Sequence, residues 1–187
     1  MTRTIYYTAT TLDGFLADPD NSLAWLLRQD NDPDGPQNYA QFIGGIGAIV
    51  MGSTTYDWVR TELASSGQPW PYEQPTWVMT TRQRAGIDGV DIRFASGPLS
   101  DVYPDLQRAA GDRDIWVAGG GDLAGQFADA GLLDEVIVSI APVVLGAGAP
   151  LLPRRLDMSL EQTTRSGAFI TARYRILGRL LEDRATP

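Results

Sequence analysis

The chain has no cysteine and no histidine, and all 15 of its basic residues are arginine. Without cysteine there is no disulfide, no thiolate nucleophile and no cysteine-based metal site. Without histidine the usual general base and the commonest metal ligand are gone. Without lysine, Schiff-base chemistry and the Walker-A phosphate contact are excluded. No carboxylate cluster stands in as a metal site, so no metal is expected. No apolar run approaches the ~20 residues of a membrane helix, and the opening MTRTIYYTAT has no signal-peptide core, so no membrane and a cytoplasmic location are expected. A formal charge of −8 without a basic patch argues against nucleic acid as a partner. An anionic ligand would have to be held by backbone amides, hydroxyls and a few arginines.

What remains is ordinary globular material, with 43% hydrophobic and 20% charged residues, and 187 residues are expected to form a single domain over 1–187. Its most informative stretch is Asp114–Gly131, DIWVAGGGDLAGQFADAG. Ile115 to Ala118 is strand-like, Gly119, Gly120 and Gly121 follow at once, and Leu123, Phe127 and Ala128 recur at helical spacing before Gly131. A strand, a glycine turn and a helix start aim bare N–H groups at one spot, which favours a phosphate. The same glycines could instead serve tight strand–helix packing. A second junction of this type is Gly52-Ser53-Thr54-Thr55, after the apolar run Gly47–Met51 and before a helix carrying Tyr56, Val59 and Leu63. It reads either as a Ser/Thr cap or as a second phosphate contact.

Further strands are expected at Arg3–Thr10, Thr76–Thr80, Val90–Ala95 and Asp134–Ala141, with a final pair at Leu160–Thr164 and Ala168–Ile176. A short apolar element after a Ser cap is expected at Ser22–Leu27, a brief helix at Gln37–Ile43 and a longer helix at Leu99–Ala110. Gln29–Pro36 and Gly67–Pro75 read as loops, and Pro142–Pro150 as a strand end running into a glycine loop. Strands that alternate with helices and end in a hairpin predict an α/β fold: a mostly parallel central sheet, an antiparallel C-terminal edge and helices on both faces. Ligands of such sheets sit beyond the carboxyl ends of the strands. Thr10, Gly52, Thr80–Arg82, Ser96 and Gly119–Gly121 all follow strand ends and can share one cleft.

The segments TLDGFLADPDNSLAWL, AIVMGSTTYDWV, VMTTR, DIWVAGGGDLAGQF and LLDEVIVSIAPVVLGAGAPLL, in this order, resemble the dihydrofolate reductase-like superfamily. The branch is that of the bacterial bifunctional deaminase-reductase C-terminal domains, whose founding members reduce a riboflavin precursor. The resemblance runs from about Arg3 to Ile176; no room is left for the deaminase domain, and its zinc would find no histidine or cysteine. It implies NADPH as cofactor, a small-molecule substrate and a homodimer paired through the C-terminal strands.

By the same resemblance, Gly119, Gly120 and Gly121, flanked by Ala118, Asp122 and Leu123, face the pyrophosphate together with Gly52, Ser53, Thr54 and Thr55. Thr80, Thr81 and Arg82, with Ser96, surround the adenosine 2′-phosphate. Ala9, Leu12, Phe15 and Leu16 border the nicotinamide. Asp13 and Tyr56 are the candidate catalytic residues, and Trp25 and Pro142 lie near substrate. Trp25 and Tyr56 are equally readable as core aromatics, and Asp13-Gly14 as a turn. Dihydrofolate reductases carry a pterin-binding carboxylate in the helix turn occupied here by Pro36, Gln37 and Asn38, with Asp34 in the loop before it, so folate is not the expected substrate. The expected activity is hydride transfer from NADPH to a C=N or C=O of a small pterin- or pyrimidine-like heterocycle, with the proton from water or Asp13. The rival expectation is a nucleotide- or pterin-binding module on the same fold without turnover.

Overall fold

A computed structural model describes residues 2–30, 32 and 39–180. Its frame is an eight-stranded sheet in the order β5-β4-β3-β6-β1-β7-β10-β9. The central strands are β1 (Thr4–Thr11), β3 (Ile46–Gly52), β6 (Asp114–Gly119) and β7 (Glu135–Ala141). They pair in parallel, and β4 (Thr76–Met79) and β5 (Ile92–Ala95) extend the parallel set. Both faces of these strands are covered, which is why AIVM, IWVA and VIV are unbroken apolar runs rather than alternating ones.

Helices cover both faces, as expected. On one face, α4 (Leu99–Ala110) and α5 (Gly121–Asp129) pack Leu106, Leu123 and Phe127 against Tyr6, Val50, Val117 and Val138. On the other, α2 (Tyr39–Gly44) and α3 (Ser53–Ser66) pack Phe42 and Tyr56 against Ile49, Met51 and Trp116. The four-residue α1 (Ala24–Leu27) seats Trp25 beside Ala141 and Phe169 on this second face. Gln37 and Asn38, the first two residues of the helix expected at Gln37–Ile43, lie outside the described residues, as do Asp34 and Pro36. None of the described helices is long and apolar enough to cross a membrane.

Three features depart from the sequence reading. The C-terminal hairpin is longer than expected: β9 (Leu156–Ser166) and β10 (Phe169–Arg179) are eleven residues each, joined through Gly167 at φ +55°. Polar residues on an edge strand hid its ends. A small second sheet pairs β2 (Phe15–Ala17) with β8 (Ala149–Pro150), two stretches too short to show a period. Ser22 does not cap α1; the cap position is Leu23, and Ser22 Oγ accepts from Ala24 N at 3.1 Å.

Asp13 holds two of these pieces together. It sits in the β1–β2 turn, and its carboxylate accepts from Thr11 Oγ1 at 2.6 Å, Gly146 N at 2.7 Å and Leu145 N at 3.1 Å. The bond from Leu12 N to Val143 O, 2.8 Å, runs beside it. The Thr11 hydroxyl, aided by the two amides, holds the Asp13 carboxyl below its ordinary range. A depressed folded-state pKa stabilises the fold above the pKa of the unfolded chain, and that contribution disappears as pH falls through the folded value. Asp13→Ala is therefore expected to lower Tm at pH 7, with the gap to wild type closing below about pH 4, the ordinary aspartate range. A gap that stays constant from pH 7 to pH 3 in thermal melts would show that the carboxylate's charge plays no part.

Candidate active site

Two helices begin where the central strands end. Glycine supplies the cap position of each, Gly52 for α3 and Gly120 for α5, and neither helix has a side-chain cap bond. The first-turn N–H groups are left for a ligand or for water. Between them runs a cleft of about 540 Å³. Gly52, Ser53, Thr54 and Thr55 form one wall, Gly119, Gly120, Gly121 and Leu123 the other, and Ala9 and Ala118 lie in the floor. All of these come from the two glycine junctions and the strand ends singled out in the sequence. Asp122 also lines the cleft, with its carboxylate occupied by Gln126 at 2.9 Å and Arg154 at 3.0 Å; these bonds hold its pKa below the ordinary value.

The three successive glycines have different surroundings. Gly119 lies at φ +142°, and a Cβ there would stand 3.1 Å from Thr55 Oγ1. The peptide joining it to Gly120 is cis. A Cβ on Gly121 would run into the carbonyl oxygens of Pro150 and Leu151, so this glycine is required by packing. Gly120 has φ −85° and ψ −174°, and a Cβ on it would meet nothing within 4 Å beyond its chain neighbours. It lines the open cleft.

Of the residues assigned to the nicotinamide end, Ala9 and Leu16 line the cleft. Leu12 does not: it is 70% exposed and lies in a groove with Val138 and Ile140. Phe15 is paired with Pro150 in the small sheet, outside the cleft lining. At the far end the lining stops at Trp58 and Met79, and Thr80, Thr81 and Arg82 continue the chain from Met79. Thr80 Oγ1 accepts from Arg82 N at 3.1 Å, and among the described residues the Arg82 guanidinium has no ion pair. Ser96 is exposed beyond β5 and does not reach the lining.

The candidate catalytic residues need correction. Tyr56 is fully buried, its hydroxyl donates to Ala85 O at 2.7 Å, and its ring packs on Trp70 and Phe94, so it is a core aromatic. Asp13, held ionised by three donors, cannot supply a proton at neutral pH and lines no part of the cleft. Trp25 is 4% exposed within its apolar cluster, and Pro142 is exposed just past β7. Neither forms a pocket wall.

A second pocket, about 680 Å³, opens from the first and shares Thr8, Ala9, Leu26 and Ala118 with it. Its walls are aromatic: Tyr7, Tyr39, Trp116 and Phe169. Tyr7 stacks on Phe42 with ring centroids 4.2 Å apart, and Trp116 Nε1 donates to Tyr7 O at 3.0 Å. Burial raises the pKa of the Tyr7 phenol above its ordinary value, so it stays neutral. Ser139 and Thr171, on β7 and β10, share a hydroxyl hydrogen bond of 2.9 Å in the same pocket. None of these residues stood out in the sequence, where they are scattered from Tyr7 to Thr171 with no common motif. The one available signal was the run of polar residues at alternate positions in strands otherwise built for burial.

Three solved structures share this fold. A Shewanella sp. PV-4 protein, provisionally named as a riboflavin biosynthesis protein, is 25% identical with a TM-score of 0.78; the match covers 94% of this chain and 99% of that one. A diaminohydroxyphosphoribosylaminopyrimidine deaminase/5-amino-6-(5-phosphoribosylamino)uracil reductase from Thermotoga maritima is 15% identical with a TM-score of 0.65. That match covers 94% of this chain and 56% of the longer protein. Dihydrofolate reductase from Enterococcus faecalis, solved with NADP(H), is 14% identical with a TM-score of 0.53, covering 94% and 96% of the two chains. The fold is therefore dihydrofolate reductase-like. Residues 3–168 match the RibD C-terminal domain, and the chain belongs to that family.

Proposed function

We propose that this protein is an NADPH-dependent reductase acting on a C=N or C=O of a small heterocycle. The observation that carries the reading is Gly120, which lines the cleft at the start of α5 where a Cβ would meet no atom within 4 Å beyond its chain neighbours. The donor set fits a dinucleotide pyrophosphate: two uncapped helix N-termini, each worth roughly half a positive charge, face one cleft. Gly52 to Thr55 would hold one phosphate and Gly120 to Leu123 the other. Trp58 and Met79 would take the adenine end, and Ala9 and Leu16 the nicotinamide end. When bound, NADPH supplies the hydride.

The chain's own part is to bind, orient and exclude water. The aromatic walls of the second pocket hold a flat ring against the border at Ala9 and Ala118. Tyr7, kept neutral by burial, can donate a hydrogen bond to a carbonyl or ring nitrogen. The final proton comes from water, because Asp13 is held ionised. Self-association through β9 and β10 accounts for the exposed Met158, Leu160, Ile170 and Leu177. A monomer at micromolar concentration in sedimentation velocity would overturn that part of the reading.

Two substitutions separate ligand binding from packing. Gly120→Val is expected to lower NADPH affinity by at least about a hundredfold in calorimetry, with Tm nearly unchanged, because a branched side chain would stand where the pyrophosphate binds. Gly121→Ala is expected to destabilise the fold by the ~1–3 kcal/mol typical of overpacking, read as a lowered Tm, because its Cβ meets the 150–151 backbone. Normal NADPH binding by Gly120→Val would sink the cofactor assignment. NADPH binding by the wild type with no turnover of pterin, pyrimidinone or quinone substrates would favour a binding module.

Cofactor choice rests on Arg82. In a chain of charge −8 the NADPH 2′-phosphate needs a local cation, and Arg82 has no carboxylate partner among the described residues, whereas neighbouring Arg84 is bound to Asp57 at 2.8 Å. Charge-assisted hydrogen bonds contribute ~1.5–3 kcal/mol. Arg82→Ala should therefore weaken NADPH by roughly 10- to 150-fold and leave NADH unchanged. Equal loss of both cofactors, or of neither, would remove Arg82 from the site.

A further inference from the structure

The second pocket has a one-sided electrostatic lining. Apart from backbone, its polar groups are hydroxyls (Thr8, Ser139, Ser166 and Thr171 with Tyr7 and Tyr39), the Trp116 indole N–H and the amide of Gln29. Among the described lining residues the single charged side chain is that of Asp32, a carboxylate. The sequence has no arginine between positions 29 and 59. Arg173, two residues beyond Thr171 on β10, is committed to Glu135 at 3.0 Å. Arg28 ends α1 as an exposed residue outside the lining. α2 starts at the rim with Tyr39 and Ala40, but its six residues make too short a dipole to hold a dianion.

From this lining, and resting on the reductase reading, we infer that the substrate enters without a phosphate or other anionic group: it is an uncharged, flat, conjugated heterocycle with a polar edge. A desolvated phosphate needs a paired cation or several charge-assisted donors. Among its described lining residues this pocket offers no arginine, inside a protein whose net charge is −8. Hydroxyls, by contrast, both donate and accept, and suit the mixed carbonyl and N–H edge of a neutral ring. Tyr7, Tyr39 and Trp116 offer such a ring flat apolar surface. Among the described lining residues there is no cation to receive the phosphate of the phosphoribosyl group in the Thermotoga reductase's name.

The test uses matched pairs differing in charge: 5-amino-6-ribosylaminouracil with and without its 5′-phosphate, and pterin beside 6-carboxypterin. Each is titrated calorimetrically into the full chain, once alone and once saturated with NADP⁺. The neutral member of each pair is expected to bind about tenfold or more tightly than its anion, the order of one charge-assisted hydrogen bond. Leu27→Arg, which places a cation on an exposed lining residue, is expected to narrow that gap. An anion that binds as well as its neutral partner in either pair, no binding of either neutral member, or an unchanged gap in Leu27→Arg overturns the inference. Failure of NADP⁺ and NADPH to bind fails the reductase reading instead, and the charge preference is still read from the titrations without cofactor.

Discussion

The cleft between α3 and α5 depends on one close approach, that of the 150–151 backbone to Gly121. The carbonyls of Pro150 and Leu151 occupy the space a side chain at 121 would need. From that point Leu151 N donates to Gly14 O at 2.9 Å, and the buried Tyr6 hydroxyl donates to Leu151 O at 3.0 Å. Arg154 then crosses α5 at Gly125, where a Cβ would come 2.9 Å from its side chain, and binds Asp129 at 2.6 Å and Asp122 at 3.0 Å. These contacts set the position of β8, and Ala149 and Pro150 of β8 are themselves cleft lining. One wall of the site is thus built by a segment about thirty positions downstream of the glycines it leans on. A buried backbone group left unpaired costs ~1–3 kcal/mol, so a shift at Gly121 would be felt along the whole β2–β8 edge.

The distribution of charge explains how so acidic a chain can hold an anion. Most arginines are already committed. Arg3 binds Asp114 and Glu135, Arg84 binds Asp57, and Arg93, Arg108, Arg173 and Arg175 each have a carboxylate. Positive potential in the cleft therefore comes from peptide dipoles at the starts of α3 and α5. Such partial charges are fixed by the fold, need no side-chain ordering and carry no desolvation penalty of an ammonium or guanidinium group. Asp122, in the first turn of α5, would oppose them, but its charge is shared with Arg154.

Much of this was legible in the sequence, for physical reasons that also mark where legibility stopped. The parallel strands are short apolar runs bounded by glycine, and the two glycine–helix junctions lie at their ends, so the cleft walls from Gly52 to Thr55 and from Ala118 to Leu123 could be read locally. The two competing explanations for the triple glycine fall on different residues: packing against the 150–151 backbone accounts for Gly121, and the proposed phosphate contact rests on Gly120, a division that no local signal could make because the partner backbone lies so far along the chain. Tyr56 and Trp25 were ambiguous for a similar reason: a large aromatic beside a functional motif has the same spacing whether it faces ligand or core. Asp13 misled because a carboxylate next to glycine near a cleft reads as an acid, whereas its hydrogen-bond partners come from residues 145 and 146. The second pocket was illegible because its walls come from four separate elements that meet only across the sheet.

The border between the two pockets is made of small residues, and this ties fold to chemistry. Ala9 and Ala118 lie on the adjacent strands β1 and β6, and both line both cavities. Neither is fully buried, so core packing does not require them to be small. The residues two positions back on the same face of each strand are large: Trp116 on one, Tyr7 on the other. Side chains of that size at 9 and 118 would fill the passage and leave two isolated cavities. In the proposed function, methyl groups there let a ring held in the cleft and a ring held among Tyr7, Tyr39 and Trp116 share one surface of contact, the spatial condition for transfer between them. The parallel sheet supplies this arrangement, because β1 and β6 pair side by side over Thr4–Tyr6 and Ile115–Val117 and run on from there to Ala9 and Ala118.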